Sequence, residues 1–293
     1  MSAEFLPVVA EWFRETFGEP THPQREGWAA ISEGHHTLIV APTGSGKTLA
    51  AFLWALDHLY RLGLESRIEE RVYVVYVSPL KALNNDIEKN LRLPLQGIRE
   101  RAAQRGLKLP DIRAAVRTGD TLAHARQAMT RRPPHILITT PESLYILLTT
   151  EKFRPALKTV RYVIVDEVHA LAGSKRGVHL SLSLERLQHL AGEPIQRIGC
   201  SATVRPLEAT AHFLTGVGRR AKIVDAGFQR RLDLQVVAPV PDFLTAQSDT
   251  VWETLLQELS EWILAHRTSL IFCPSRRTAE RLARNLNDRL PDG

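Results

Sequence analysis

A parallel β-sheet with helices on both faces is the fold this sequence predicts. Two observations carry the prediction. Short β-branched runs alternate repeatedly with helical patterns, and several of those runs are apolar at consecutive positions, as in strands buried on both sides. A third feature, a glycine-rich loop between the first run and the first long helix, gives the fold a phosphate site.

Taken in order, the runs are Thr37 to Val40, Arg71 to Val77, Ile112 to Val116, His135 to Thr139, Val160 to Val165 and Ile195 to Cys200. Between them, Lys47 to Arg61 carries alanine and leucine at helical spacing, and Leu180 to Leu190 repeats leucine with polar residues between. Composition turns to glycine and arginine from Gly216 to Arg220, and new runs follow at Lys222 to Val224 and Leu232 to Val240. We therefore expect a first domain over residues 1–220 and a second beginning at 221. Helical periods at Asp249 to Ala265 and Arg276 to Leu290 flank one more expected strand, Ser269 to Cys273. A domain of this kind typically needs ~100 to 200 residues, so residues 221–293 read as its truncated beginning.

The 293 residues are 44% hydrophobic, enough for a packed core, and their formal charge of +6 suits a polyanionic partner. The longest apolar runs fall far short of the ~20 residues that span a bilayer. The amino terminus shows no basic segment followed by an apolar one, so a cytoplasmic location is expected. Cys200 and Cys273 are the two cysteines, each in an apolar run, and read as buried small hydrophobes rather than metal ligands.

Ala41-Pro-Thr-Gly-Ser-Gly-Lys-Thr48 follows a strand and precedes a helix. Gly44 and Gly46 permit a tight loop whose N–H groups face phosphate oxygens, with Pro42, Thr43 and Ser45 completing it. Lys47 is expected to reach the terminal phosphates and Thr48 to place its hydroxyl on Mg²⁺. A second apolar strand ends in Asp166 and Glu167. There Asp166 would hold Mg²⁺ and Glu167 would activate water, so the expected catalytic set is Lys47, Asp166 and Glu167.

Asp166-Glu-Val-His169 together with Ala41 to Thr48 resembles the nucleotide site of superfamily 2 DEAD/DEAH-box helicases. Gln24 resembles the glutamine that reads the adenine edge in that group. Ser201-Ala-Thr203, with His169, resembles the elements that couple nucleotide state to nucleic-acid contact. Ser78-Pro-Leu-Lys-Ala-Leu83 and Thr140-Pro-Glu-Ser143 resemble two motifs that grip a strand backbone. Longer strings, Val116-Arg-Thr-Gly-Asp-Thr121, Lys175-Arg-Gly177 and Ile198-Gly-Cys-Ser-Ala-Thr-Val-Arg-Pro206, are similar to the large helicase-related (Lhr) family.

The resemblance implies two RecA-like domains with ATP and Mg²⁺ as cofactors. It implies 3′ to 5′ movement on single-stranded DNA, unwinding that includes RNA:DNA duplexes, and a role in DNA repair. Leu270 to Arg277 resembles a nucleic-acid-contacting segment of the second domain. The family's later motifs, with arginine fingers worth ~10³ to 10⁵ in rate, do not fit in the residues after Arg277, so weak turnover by this chain alone is expected.

A motor indifferent to sequence holds phosphate and sugar rather than base edges. Ser78, Lys81, Asn84, Arg117, Thr118, Gly119, Thr140 and Ser143 offer hydroxyls, amides, cations and close backbone approach for that purpose. Ser, Thr and Asn also favour ordinary helix caps, so each residue has that second reading. Lys175 and Arg176 read equally as phosphate contacts or as a solvated loop. Preference between DNA and RNA stays open, as does the alternative of an ATP-dependent binding module without motor activity.

Overall fold

Through Asp225 strands form where the apolar runs predict them, and all of them pair in parallel. The computed structural model describes residues 5–79, 87–227, 233–242 and 245–290. It divides into two units, Met1–Gln229 and Arg230–Gly293. In the first unit the strands are β1 (His36–Val40), β2 (Val74–Val77), β3 (Ala114–Arg117), β4 (Ile136–Thr139), β5 (Tyr162–Val165), β6 (Gln196–Ser201) and β7 (Ala221–Asp225). They make one seven-stranded sheet in the order β3-β4-β2-β5-β6-β1-β7.

Because successive side chains on a strand point to opposite faces, each strand feeds two cores. Val74 and Tyr76 of β2, Ile164 of β5 and Ile39 of β1 enter one core. Helices α1 (Pro7–Phe17), α2 (His22–Ser32), α3 (Lys47–Leu64) and α4 (Leu93–Gln104) cover it with Trp12, Trp28, Phe52, Tyr60 and Ile98. Val75, Val77, Val163, Val165, Leu38 and Val40 enter the other. There they meet Leu144 and Leu147 of α6 (Pro141–Thr149), Leu180 and Leu184 of α8 (Lys175–Leu190) and Leu214 of α9 (Leu207–Thr215). Two shorter helices, α5 (Ala123–Arg131) and α7 (Val168–Ala172), complete the unit.

The boundary expected at residue 220 needs correction. The glycine-rich stretch is the turn that ends α9, with Gly216 and Gly218 both at φ 77°. The chain then returns to the same sheet, and β7 pairs with β1 from His36↔Ala221 to Val40↔Asp225. A turn and a linker share the same composition, and the apolar β1 has an edge for another strand to cover.

The second unit holds α10 (Ser248–Ala265) and α11 (Arg276–Asn287), packed through Leu256, Leu282 and Leu286. Arg281 lies over the Trp252 ring, 4.3 Å from its centroid. The strand expected at Ser269 to Cys273 is absent, and so is that at Leu232 to Val240 over its described residues. A strand needs a hydrogen-bonding neighbour, and among the described residues this unit has none; Phe272 is 87% exposed.

Candidate nucleotide-binding site and the strand-end edge

Parallel pairing puts every strand's carboxyl end on one edge, so residues distant in sequence become neighbours there. In sheet order the edge reads Arg117 (β3), Thr139 (β4), Val77 (β2), Val165 (β5), Ser201 (β6) and Val40 (β1). The expected nucleotide residues follow β1, β5 and β6. The expected strand-gripping residues follow β2, β3 and β4.

The loop after β1 is anchored by the Ala41 N–H, which donates to the Ser201 carbonyl at 3.1 Å. Gly44 and Gly46 both sit at φ 83°, a conformation costly to residues with a Cβ. A Cβ on Gly46 would also fall 2.3 Å from Gln24 Nε2. Lys47 opens α3 with its side chain folded back, Nζ 3.5 Å from the Pro42 carbonyl. Thr48, one residue on, donates its hydroxyl to Asp166 Oδ2 at 3.2 Å. The loop and the second strand thus meet as the sequence predicts.

Asp166 is 5% exposed and fully engaged. Its Oδ1 accepts the Glu167 N–H at 2.8 Å, and its Oδ2 also accepts the Tyr76 hydroxyl at 2.6 Å. Glu167 occupies the left-handed region, φ 50° and ψ 45°, a strained position for a residue other than glycine. That geometry turns α7 away from β5 and sets the Glu167 carboxylate beside His169.

His169 connects two strand ends. The Ala202 N–H donates to Nδ1 at 3.2 Å, which leaves the ring proton on Nε2. Nε2 stands 3.3 Å from Glu167 Oε2, so the His169 ring lies between that carboxylate and the loop after β6, from which its Nδ1 accepts. The Ser201 hydroxyl lies 3.3 Å from the same Nδ1 and 2.8 Å from the Ala202 carbonyl. Thr203 is exposed beyond this link.

Gln24 is 4% exposed and spends its amide within the protein. Oε1 accepts the Thr21 N–H at 2.9 Å and Nε2 points at the Gly46 carbonyl, 3.4 Å away. The Thr21 hydroxyl donates to the Ser45 carbonyl at 2.9 Å. In this arrangement Gln24 braces the phosphate loop against α2. Cys200 behaves as expected: it is buried, burial pushes its thiol pKa well up, and Sγ rests 3.6 Å from the Lys47 carbonyl.

A nucleoside triphosphate with a hard divalent cation fits this donor set. Ser45 Oγ is shielded from solvent and has no hydrogen-bond partner among the described residues. Thr48 and Asp166 present a hydroxyl and a carboxylate side by side, the ligands Mg²⁺ accepts from proteins. Among the described residues no three His, Cys, Asp or Glu side chains converge as a metal cage. A cation here would therefore take its other oxygens from phosphate and water.

At the other end of the edge, Ser78 is 2% exposed, and its N–H donates to the Thr139 carbonyl at 3.1 Å. Thr140 and Ser143 are buried; Thr140 Oγ1 accepts the Ser143 N–H at 3.4 Å and donates to Ser143 Oγ at 3.2 Å, capping α6. Arg117 donates to the Thr118 carbonyl at 2.8 Å, and burial lowers its pKa. Gly119 is exposed, and its carbonyl accepts from Arg126 at 2.7 Å. Lys81 and Asn84 lie outside the described residues. The hydroxyls of Thr140 and Ser143 thus do the capping work that was their second reading; Thr118 is buried, with its N–H on Thr121 Oγ1 at 2.9 Å, and of residues 117–119 Gly119 alone is exposed.

Sequence reasoning missed Tyr76. It sits in an apolar strand where an aromatic reads as core, and its ring does pack there, 4.8 Å from that of Phe52. The available signal was position: β2 is next to β5 in the sheet, and Tyr76 stands beside Ile164, two residues before Asp166.

Comparison with known proteins gives the family. The DEAD/DEAH box helicase family model matches residues 21–210. The chain is 52% identical over 288 residues to ATP-dependent helicase Lhr-Core protein 2 of Thermococcus barophilus, covering 97% of this chain and 33% of that protein. It is 51% identical over 290 residues to ATP-dependent helicase Lhr-Core of Methanothermobacter thermautotrophicus, with 98% and 33% covered. The structure of Mycobacterium smegmatis helicase Lhr bound to single-stranded DNA and AMP-PNP superposes with a TM-score of 0.79 at 49% identity, covering 97% of this chain and 36% of that one. The chain spans about a third of the length of these relatives.

Proposed function

The chain belongs to the DEAD/DEAH box helicase family, and from that premise we propose that it is the nucleotide-binding part of an Lhr-type motor that couples ATP hydrolysis to movement on single-stranded nucleic acid. One observation carries the reading. Thr48 of the phosphate loop meets Asp166, and the next acid, Glu167, is tied through His169 to the Ser201-Ala202 strand end.

In the proposed mechanism, Lys47 and the loop amides of residues 44–48 bind the phosphates, and Thr48 with Asp166 holds Mg²⁺. Bound Mg²⁺ supplies charge neutralisation at the phosphate oxygens. Glu167 takes a proton from the attacking water. The His169 ring lies against that carboxylate and accepts the Ala202 N–H, so a change at Glu167 is felt at Ala202, beside the Ser201 and Thr203 that are read as coupling residues. Ser78, Arg117 to Gly119, Thr140 and Ser143 mark the edge on which a strand would lie; Lys81 and Asn84 are assigned to the same task from sequence alone.

The finer reading is single-stranded DNA or an RNA:DNA duplex as partner, movement 3′ to 5′, a role in DNA repair, and residues from 230 onward as part of a second RecA-like domain. The same finer reading includes slow turnover by residues 1–293 alone. ATP hydrolysis measured with and without single-stranded DNA and RNA, beside Lys47→Ala, tests the proposal. The expected result is slow hydrolysis raised by a single strand and abolished by the substitution. A folded wild-type chain that binds no ATP analogue, or is indifferent to every strand, overturns it.

A further inference from the structure

Arg176 was left between two readings, a phosphate contact or a solvated loop, and the structure gives it neither role. Its guanidinium bridges two strand ends. Nε and Nη2 grip both carboxylate oxygens of Glu142, the latter at 3.0 Å, and Nη1 donates to the Pro79 carbonyl at 2.7 Å. Pro79 follows Ser78 after β2, and Glu142 lies in the first turn of α6, between Thr140 and Ser143. The paired guanidinium holds the Glu142 carboxyl down at about 2 and raises the pKa of Arg176.

Arg176 is itself fixed from the nucleotide side. The Ser174 N–H donates to the Leu171 carbonyl of α7 at 2.9 Å, and Ser174 Oγ caps α8 by accepting the Gly177 N–H at 3.0 Å. Gly177 packs so close to α7 that an added Cβ would stand 2.0 Å from the Leu171 carbonyl oxygen. Glu167, α7, Ser174 and Arg176 therefore form one short, tightly packed path. It starts at the acid beside the phosphate loop and ends on the two segments read as gripping a strand.

We propose that Arg176 is a positioning residue: its fork on Glu142 and Pro79 holds Ser78-Pro79 after β2 and Thr140 to Ser143 after β4 in the relative placement that single-strand binding requires. This rests on the functional reading above. All of Arg176's paired donors face protein, so its charge serves these two segments rather than a phosphate.

The sign of one substitution separates positioning from a phosphate contact. Removing the negative charge of Glu142 should tighten binding of a polyanion if only the local charge counts, because Arg176 is then released toward phosphate. If the fork positions the loops, the same substitution weakens binding. The test uses the whole chain, a fluorescent oligo-dT strand with a non-hydrolysable ATP analogue, and the variants Arg176→Ala, Arg176→Lys, Glu142→Ala and their double. Arg176→Ala and Glu142→Ala should each raise the half-saturating strand concentration roughly tenfold. The double variant should be no worse than either, ATP-analogue affinity should stay within about twofold, and Arg176→Lys, which cannot form the fork, should not restore binding. Thermal melts of each variant check that the fold persists.

Tighter or unchanged strand binding by a folded Glu142→Ala overturns the inference while leaving the functional reading intact. A wild-type chain that binds ATP analogue but no strand overturns both.

Discussion

The Tyr76 hydroxyl donates a 2.6 Å hydrogen bond to Asp166 Oδ2, the same oxygen that the Thr48 hydroxyl reaches at 3.2 Å. A core tyrosine thus aims the carboxylate read as the cation ligand. Tyr76→Phe keeps the ring that packs against Phe52 and removes this bond. It should cost about 1 kcal/mol of stability and raise several-fold the Mg²⁺ concentration needed to bind a fluorescent ATP analogue. A Mg²⁺ titration superimposable on wild type would show that the hydroxyl aims nothing.

Gly46 is the most demanding position of the phosphate loop. Alanine there takes a left-handed conformation costing roughly 1–2 kcal/mol, and its Cβ would meet the Gln24 amide that braces the loop. Gly46→Ala should therefore lose ATP binding while its far-ultraviolet circular dichroism stays native. Gly44, also at φ 83°, has open space around its Cβ position, so Gly44→Ala should be the milder of the two.

Glu167→Gln removes the proposed base and leaves the Asp166, Thr48 and loop contacts in place. Turnover should fall by ~10² or more, with ATP-analogue binding retained. His169→Ala leaves the base but frees it from its 3.3 Å partner, so a smaller loss of turnover is expected, with weaker stimulation by a single strand. Equal loss of stimulation and of basal rate in His169→Ala would argue against a coupling role.

Two histidines set an acid limit on the fold. His36 and His135 are both lowered from 6.5 to about 4, mainly by burial. Each holds its Nδ1 as an acceptor for a backbone N–H, from Arg197 at 3.0 Å and Arg113 at 3.1 Å. The unfolded chain takes up these protons below about 6.5 and the folded chain only near 4, so the unfolded state binds more protons in between. Stability from both groups is complete above 6.5 and is lost as pH falls toward 4. Melting temperatures from pH 7 to 4 should fall for wild type and fall less steeply for His135→Asn. Parallel curves would refute the assignment.

The chemistry was more legible in the sequence than the boundaries were. Ala41 to Thr48 and Asp166-Glu167 could be paired from sequence because strand, loop and helix come in an order that parallel pairing must bring together. β7 was misplaced because Gly216 to Arg220 has the composition of a linker, and only the sheet order, in which β7 covers the side of β1 away from β6, shows where it belongs. Tyr76 and the fork of Arg176 on Glu142 stayed hidden for another reason. Both depend on which strands are neighbours, and sheet order β3-β4-β2-β5 is not written in local periodicity. Thr140 and Ser143 were legible as polar strand-end residues, yet a cap and a phosphate contact use the same atoms.

The seam between β2 and β5 divides the two halves of the edge. Its ladder runs without interruption from Val74↔Tyr162 to Val77↔Val165 and ends with the Asp166 N–H on the Val77 carbonyl at 2.9 Å. Ser78 and Asp166 are therefore rooted in one hydrogen-bonded frame, with fully buried valines on either side of the join. For the two to slide past each other the ladder would have to shear, breaking several backbone bonds at once. In the proposed motor the sheet of this unit would work as a stator: it would register nucleotide and strand against a common fixed reference, and displacement would have to be generated by parts that move relative to it.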